Sequence, residues 1–334
     1  MLKKQLALLL VLISELVLSQ TFTLSGVISS DKELLPFATI HVKGNSMGTN
    51  SNMEGEYQLR LAPGTYEIEY QYVGYSKKTE TVVLNSNVRL NVSLNPDGIS
   101  LNEVVIRAGE DPSYPIIRKA IRKRKFYRDQ VSTYSCTAYM KGLQRVNSIP
   151  KNIGGLIKLV GAELSDTADI KGVVYLAENV SNYYFLDPNE KEVMISSKVS
   201  GNSQSFSFNK LSDMNLSLYE NLIDMGNLAN RPFVSPINDN AFLFYRYYLL
   251  GSVTEDGKLI HKIKVVPKQK TDPCFKGIIY VQDSTWRITG IDLSIFKDTK
   301  VNFVDTLRVK EIYAPVQGDS IWMPLTINLS FDFK

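Results

Sequence analysis

Residues 34–57 read LLPFATIHVKGNSMGTNSNMEGEY. Phe37, Thr39 and His41 alternate with Ala38, Ile40 and Val42, the two-residue period of a strand. Gly44, Asn45, Gly48 and Asn50 break the chain, and Gly55-Glu56-Tyr57-Gln58-Leu59 starts a second extended run. The pattern continues outward on both sides. Thr21–Ser29 reads as a strand before it, and Tyr66–Tyr72, Thr79–Leu84 and Val88–Leu94 read as strands after it. Ala62-Pro63-Gly64-Thr65 has the composition of a type II turn, with Pro setting φ at its second position and Gly accepting positive φ at its third. Short strands at this spacing predict a small β-sandwich over residues 20–96. In it the glycines serve backbone geometry, Tyr57 packs inside, and His41 is a surface or half-buried side chain rather than a ligand.

The chain has 334 residues, 44% hydrophobic and 22% charged, with a net charge of +4. That is room for two or three domains of ordinary globular composition. The 18 Tyr and 14 Phe favour strands. The charge is too small to argue for nucleic acid, and no Walker A loop, zinc knuckle or dinucleotide fingerprint is present. The opening MLKKQLALLLVLISELVLSQ has a basic start, a short apolar run and Ser19 as a cleavage position, so residues 1–19 read as a secretory signal peptide. No Cys follows it to carry a lipid. No later run reaches the roughly 20 apolar residues of a membrane helix, and hydropathy is silent on a β-barrel. Two cysteines, Cys136 and Cys274, lie far apart in strand-like stretches. Two buried free thiols or one disulfide both fit an exported chain; no CxxC spacing points to zinc or redox chemistry.

Gly26-Val27, Leu35-Pro36-Phe37-Ala38-Thr39-Ile40, Gly48-Thr49, Gly55-Glu56-Tyr57, Pro63-Gly64-Thr65-Tyr66 and Val73-Gly74-Tyr75 occur in that order. The order resembles the carboxypeptidase regulatory-like domain, which implies a transthyretin-like β-sandwich. In metallopeptidases that module is an appendage, and it also stands at the front of many outer-membrane proteins of Bacteroidetes. The following Leu101-Asn102-Glu103-Val104-Val105-Ile106 is similar to the segment that follows the module in TonB-dependent transporters. The enzyme alternative fails on composition. A zinc peptidase needs closely spaced His and carboxylate ligands, but the chain has only His41 and His261, neither with a carboxylate near it in sequence. No Gly-x-Ser-x-Gly elbow is present either. No catalytic, cofactor or metal residue is therefore expected.

Residues 97–130 read as a linker and a short basic helix. In DPSYPIIRKAIRKRKFYRD (111–129), Asp111 or Ser113 is the cap and Pro115 lies in the first turn. Ile117, Ala120 and Ile121 form a narrow apolar stripe that Arg124 interrupts one turn later. Arg118, Lys119, Arg122, Lys123, Arg124, Lys125 and Arg128 carry charge with no acid between them. One reading is a solvated helix packed by its stripe. The sharper one is contact with anionic lipid headgroups or an acidic envelope partner.

Residues 131–334 read as a β-rich domain, with a helix over Leu218–Met225. Its part 251–334 reads as hairpins turning at Asp256-Gly257 and at Asp283-Ser284-Thr285, with Trp286–Phe296 as a strand. Consecutive hairpins predict an antiparallel meander. The runs Val265–Lys268, Phe275–Val281 and Thr285–Ile288 resemble the half-barrel of periplasmic lipoprotein-carrier and sigma-regulator proteins, which implies a concavity able to hold a lipid chain or peptide. The wider order, including Asp111–Ile117, Tyr134-Ser135-Cys136, Ala177–Ser181, Ser197–Gly201 and Val234-Ser235-Pro236, resembles an uncharacterised family of Bacteroidetes outer-membrane proteins whose members usually continue into a barrel. Asp166-Thr167-Ala168 resembles the O-glycosylation acceptor of exported Bacteroidetes proteins, which marks Thr167. The expectation is a mainly β, exported, non-catalytic binding or scaffolding protein, periplasm-facing and associated with the outer membrane. The alternative is a soluble periplasmic carrier of a hydrophobic ligand.

Overall fold

The computed structural model describes residues 21–31, 33–45, 47–96, 109–146, 172–201, 210–214, 216–225, 231–296, 304–317 and 320–333. Residues 1–19, expected to be a signal peptide, and Leu101–Ile106 and Thr167 lie outside them. The chain is mainly β and divides into two compact units: Met1–Lys123 with Pro236–Lys334, and Arg124–Ser235.

The first unit opens with the sandwich. Its strands are β1 (Phe22–Ser29), β2 (Thr39–Val42), β3 (Gly48–Asn50), β4 (Glu56–Leu61), β5 (Gly64–Gln71), β6 (Lys78–Leu84), β7 (Val88–Arg89) and β8 (Val92–Ser93). One sheet joins β4, β1 and β7, with β8 also on β1; the other runs β3-β2-β5-β6. Strict alternation fills the space between them. Along β4, Tyr57, Leu59 and Leu61 are buried while Glu56, Gln58 and Arg60 are exposed, and they meet Leu24, Ile28, Ile40, Ile68, Tyr70, Val82 and Leu84 in one core. Tyr57 lies inside, as expected. Its ring meets Tyr70 edge-on at 5.7 Å, its hydroxyl donates to the Leu90 carbonyl at 2.7 Å, and the two hydroxyls stand 3.0 Å apart. Gly26 faces the same carbonyl so closely that a Cβ would lie 1.8 Å from the Leu90 oxygen. Removing the Tyr57 hydroxyl takes a partner from the buried Tyr70 hydroxyl and from the half-buried Leu90 carbonyl. Tyr57→Phe is therefore expected to cost about 1–2 kcal/mol in denaturant unfolding; no loss would mean that the bond contributes nothing net.

The expected type II turn does not form. Gly44 and Gly55 take positive φ, but Gly64 does not. It starts β5, paired with Leu84. The Tyr66 ring packs 3.3 Å from where its Cβ would be, and the Tyr66 hydroxyl donates to the Ala62 carbonyl at 2.9 Å. The glycine makes room for a ring instead of reversing the chain.

Helix α1 runs Ser113–Arg128. Asp111 caps it: Oδ1 accepts from the Ser113 N–H at 2.9 Å. The boundary between the units falls inside this helix. In the second unit, β9 (Thr133–Val146), β10 (Gly172–Leu186) and β11 (Asn189–Gly201) form an antiparallel sheet in the order β11-β10-β9. Glu192 of β11 accepts from Ser181 Oγ at 2.6 Å and from the N–H groups of Leu211 and Ser212 at 3.1 and 3.3 Å, holding the 3₁₀ turn Leu211–Met214. The helix expected over Leu218–Met225 is absent; the segment is a turn followed by β12 (Leu222–Ile223), paired with β13 (Phe233–Val234). Side chains take the carbonyls a helix would need. Leu218 O accepts from Ser235 Oγ at 2.5 Å, and Tyr219 O accepts from Arg124 at 2.7 Å.

The first unit resumes with a short turn of helix, α2 (Ala241–Phe244), and then β14 (Tyr245–Glu255), β15 (Lys258–Pro267), β16 (Lys276–Gln282), β17 (Ile288–Phe296), β18 (Val304–Gln317) and β19 (Ile321–Phe333). These pair in chain order as a six-stranded antiparallel meander. Asp256 (φ 47°) and Gly257 (φ 73°) make the two-residue turn in which both positions take positive φ. The second hairpin differs from expectation. Trp286 is not in the strand, which begins at Ile288; it stands in the left-handed region at φ 61°, as Ser284 does at 65°. Register sets the two faces. One carries the row Ile263–Ile279–Ile291–Glu311–Ile327 and its neighbour Val265–Gly277–Leu293–Val309–Leu329. The other carries Lys262, Tyr280, Gly290, Ile312 and Thr326.

Candidate functional site

The sandwich meets the second face of the meander within the first unit. Thr39 Oγ1 and Thr326 Oγ1 are 2.9 Å apart. Lys310 Nζ lies 4.6 Å from the centre of the Tyr72 ring and 3.5 Å from Asp292 on β17. Between them runs a chain of charge. His41 Nε2 stands 3.0 Å from Glu69 Oε2, Lys77 Nζ stands 3.3 Å from Glu69 Oε1, and Lys77 also pairs with Asp256 at the meander turn. The Glu69 and Lys77 side chains are only 8% and 12% exposed. Burial pushes the Glu69 carboxyl up, but the His41 hydrogen bond and the Lys77 charge outweigh it and hold it below the ordinary value. Burial pushes Lys77 down, and its two carboxylates more than reverse that. His41 is thus neither on the surface nor half-buried; register places it directly opposite Glu69.

The second histidine also finds a carboxylate that sequence spacing did not show. His261 Nδ1 is 2.8 Å from Ser252 Oγ, and its Nε2 is 3.2 Å from Asp283 Oδ1. This is a Ser–His–Asp relay in composition, with Ser252 and His261 directly paired across β14 and β15. Acyl transfer also needs backbone donors aimed at an oxyanion, and both residues sit mid-ladder, where strand pairing uses those donors. The His261 ring lies parallel to Trp286, 6.4 Å between centres, and Lys119 Nζ sits 3.9 Å from the centre of that indole. The contacts account for the Trp286 backbone: positive φ is costly for a bulky residue, and it aims the ring at His261 and the helix. Among the described residues no group of three His, Cys, Asp or Glu side chains is placed to hold a metal ion, and no helix is long and apolar enough to cross a membrane.

The basic residues of α1 separate into two sets. Arg124 is withdrawn from the expected surface: it is 0% exposed, one turn beyond the buried Ile117 and Ala120. Its place on the apolar stripe was the signal. Arg118 pairs with Glu110 and lies over Phe242, Lys119 lies over Trp286, and Arg128 pairs with Asp129 at 2.6 Å. Arg122, Lys123 and Lys125 are exposed, beside Phe126 at 55% exposure. Both cysteines are free thiols, so the disulfide is not formed: Cys274 is buried and Cys136 is exposed on β9.

Glu311 was not singled out by sequence reading. It sits in the apolar row of the meander at 1% exposure. Tyr313 donates to its Oε2 at 2.7 Å, while Oε1 is buried without a hydrogen-bond partner. Burial, opposed by the Tyr313 bond, pushes its pKa to about 7.

A β-sandwich fixed to a β-rich meander, with its histidines bound into the framework, defines a regulatory-like module carried on a larger domain. Residues 24–106 match the model of the CarboxypepD_reg-like domain. Residues 116–334 match that of DUF5686, a family of unknown function, and the chain belongs to this family. TonB-dependent receptor P26 of Formosa agariphila is 34% identical over 83 residues, which is 25% of this chain and 8% of the receptor. TonB-dependent receptor P3 of the same organism is 29% identical over 107 residues, 31% of this chain and 10% of the receptor. The chain thus spans a tenth or less of the curated relatives it matches. A crystal structure of a DUF3823 family protein from Parabacteroides merdae aligns over 75% of this chain and 92% of its own, at 7% identity and a TM-score of 0.20. That likeness is too slight to carry an argument.

Proposed function

We propose that the chain is a non-catalytic binding and scaffolding part of an outer-membrane-associated protein, exported and facing the periplasm. The observation that carries this reading is the junction. Lys77 links the buried His41–Glu69 pair of the module to the exposed Asp256 at the meander turn, which supports a module packed on the meander rather than tethered to it. The likeness to proteins named TonB-dependent receptors supports an outer-membrane setting. On this reading His41 and His261 are structural, and Arg122, Lys123, Lys125 and the exposed Phe126 form the face toward an anionic membrane surface or envelope partner.

The test is sedimentation with vesicles of phosphatidylglycerol in phosphatidylcholine. Each basic residue near such a surface contributes about 1 kcal/mol, so Arg122→Glu with Lys125→Glu is expected to lower the affinity by at least roughly tenfold at low salt. Binding that survives both reversals, or that is equal on pure phosphatidylcholine, would remove the membrane face.

A further inference from the structure

We propose that the Glu311 face of the meander binds a long-chain primary amine along its β18–β19 margin, with the alkyl chain on Ile327 and Leu329 and the ammonium on Glu311. This goes beyond the scaffold reading and rests on different residues.

Three observations carry it. The first is the row itself: Ile263, Ile279, Ile291, Glu311 and Ile327 lie side by side across five strands. A carboxyl in the middle of such a row is expensive to bury and adds no packing that Leu would not. The second is the unused acceptor. One oxygen has Tyr313; the other is buried and has no partner. A bound water would supply a donor, but an ammonium supplies a donor and the opposite charge together. The third is access. β19 is the edge of the sheet, and Leu325, Ile327 and Leu329 on it are only half-buried, unlike Leu307, Val309 and Ile291 further in. Ile327 is the direct cross-strand partner of Glu311, so the carboxyl lies one strand spacing, roughly 5 Å, from a margin that reaches solvent. The opposite side of β19 is taken by the sandwich through Thr326, which leaves the apolar side for a ligand.

The experiment titrates the full chain with dodecylammonium below its micelle-forming concentration, followed by calorimetry, with dodecanol as the uncharged comparator. Saturable binding of one equivalent is expected. Glu311→Leu should weaken it by roughly 10–100-fold, the worth of a hydrogen bond to a charged group, and Glu311→Gln should weaken it in the same direction. Dodecanol should bind more weakly and be indifferent to either substitution. Unchanged tryptophan emission certifies that each variant is folded, since both tryptophans lie in the first unit. Equal dodecylammonium binding to the parent and to Glu311→Leu, dodecanol binding as tight as the amine, or no saturable binding at all would overturn the proposal.

Discussion

Glu311→Leu is expected to be more stable than the parent at pH 8 by about 2 kcal/mol, and no more stable at pH 4.5. Burial raises the folded-state pKa to about 7 from an ordinary 4.5. The folded state therefore binds a proton that the unfolded state has released between those two values. With more protons on the native side, stability falls as pH rises through that window, by about 3 kcal/mol in all. Leucine cannot ionise and shows no such fall; losing the Tyr313 bond subtracts part of the gain. Trp286 and Trp322, the chain's two tryptophans, both belong to the meander, so their fluorescence reads the relevant transition. A parent curve flat from pH 5 to 8, or a destabilised leucine variant at pH 8, would show that the carboxyl is solvated in the native state.

Lys77→Met is expected to cost about 3 kcal/mol, in the range for removing one partner of a buried ion pair, and to uncouple the sandwich from the meander. The substitution keeps the apolar stem and removes only the charge that Glu69 and Asp256 share. In the parent, tyrosine-dominated near-ultraviolet dichroism and tryptophan fluorescence should report one transition; in the variant they should separate. The acid limb should move as well. The Glu69 pKa is held below 4.5, so its contribution is present above the ordinary glutamate value and is lost as pH falls through the lower folded value. Without Lys77 that loss begins at higher pH. Coincident transitions with a loss under about 1 kcal/mol would place the pair among surface contacts of little consequence.

The strands of both halves were legible because they alternate, and the Asp256-Gly257 turn because only residues tolerant of positive φ occupy it. That turn also fixes the register that puts Ser252 opposite His261, so the relay was derivable, although Asp283 arrives from the next hairpin and was not. His41 and Glu69 pair across β2 and β5, a match that needs the sheet order and not merely the strand pattern. Arg124 was read as one charge in a run, yet its position on the Ile117–Ala120 stripe placed it inward. Gly64 shows the reverse error: its dipeptide suits a turn, but a neighbouring ring set its use. Trp286 was hidden for a different reason, since no local rule assigns a tryptophan to left-handed backbone. Nor could composition show that the first unit is built from two separated stretches of chain.

That last feature governs how the molecule assembles. Thr39 and Thr326 touch across 287 residues of sequence, so the docking of sandwich on meander closes a loop that contains the whole second unit. Loop entropy grows only slowly with length, but a contact this distant can reward the chain only after both partners exist. The Thr39–Thr326 contact waits on β19, whereas Lys77 can meet Asp256 once the β14–β15 hairpin has turned, so the two ties between sandwich and meander become available at different lengths of chain.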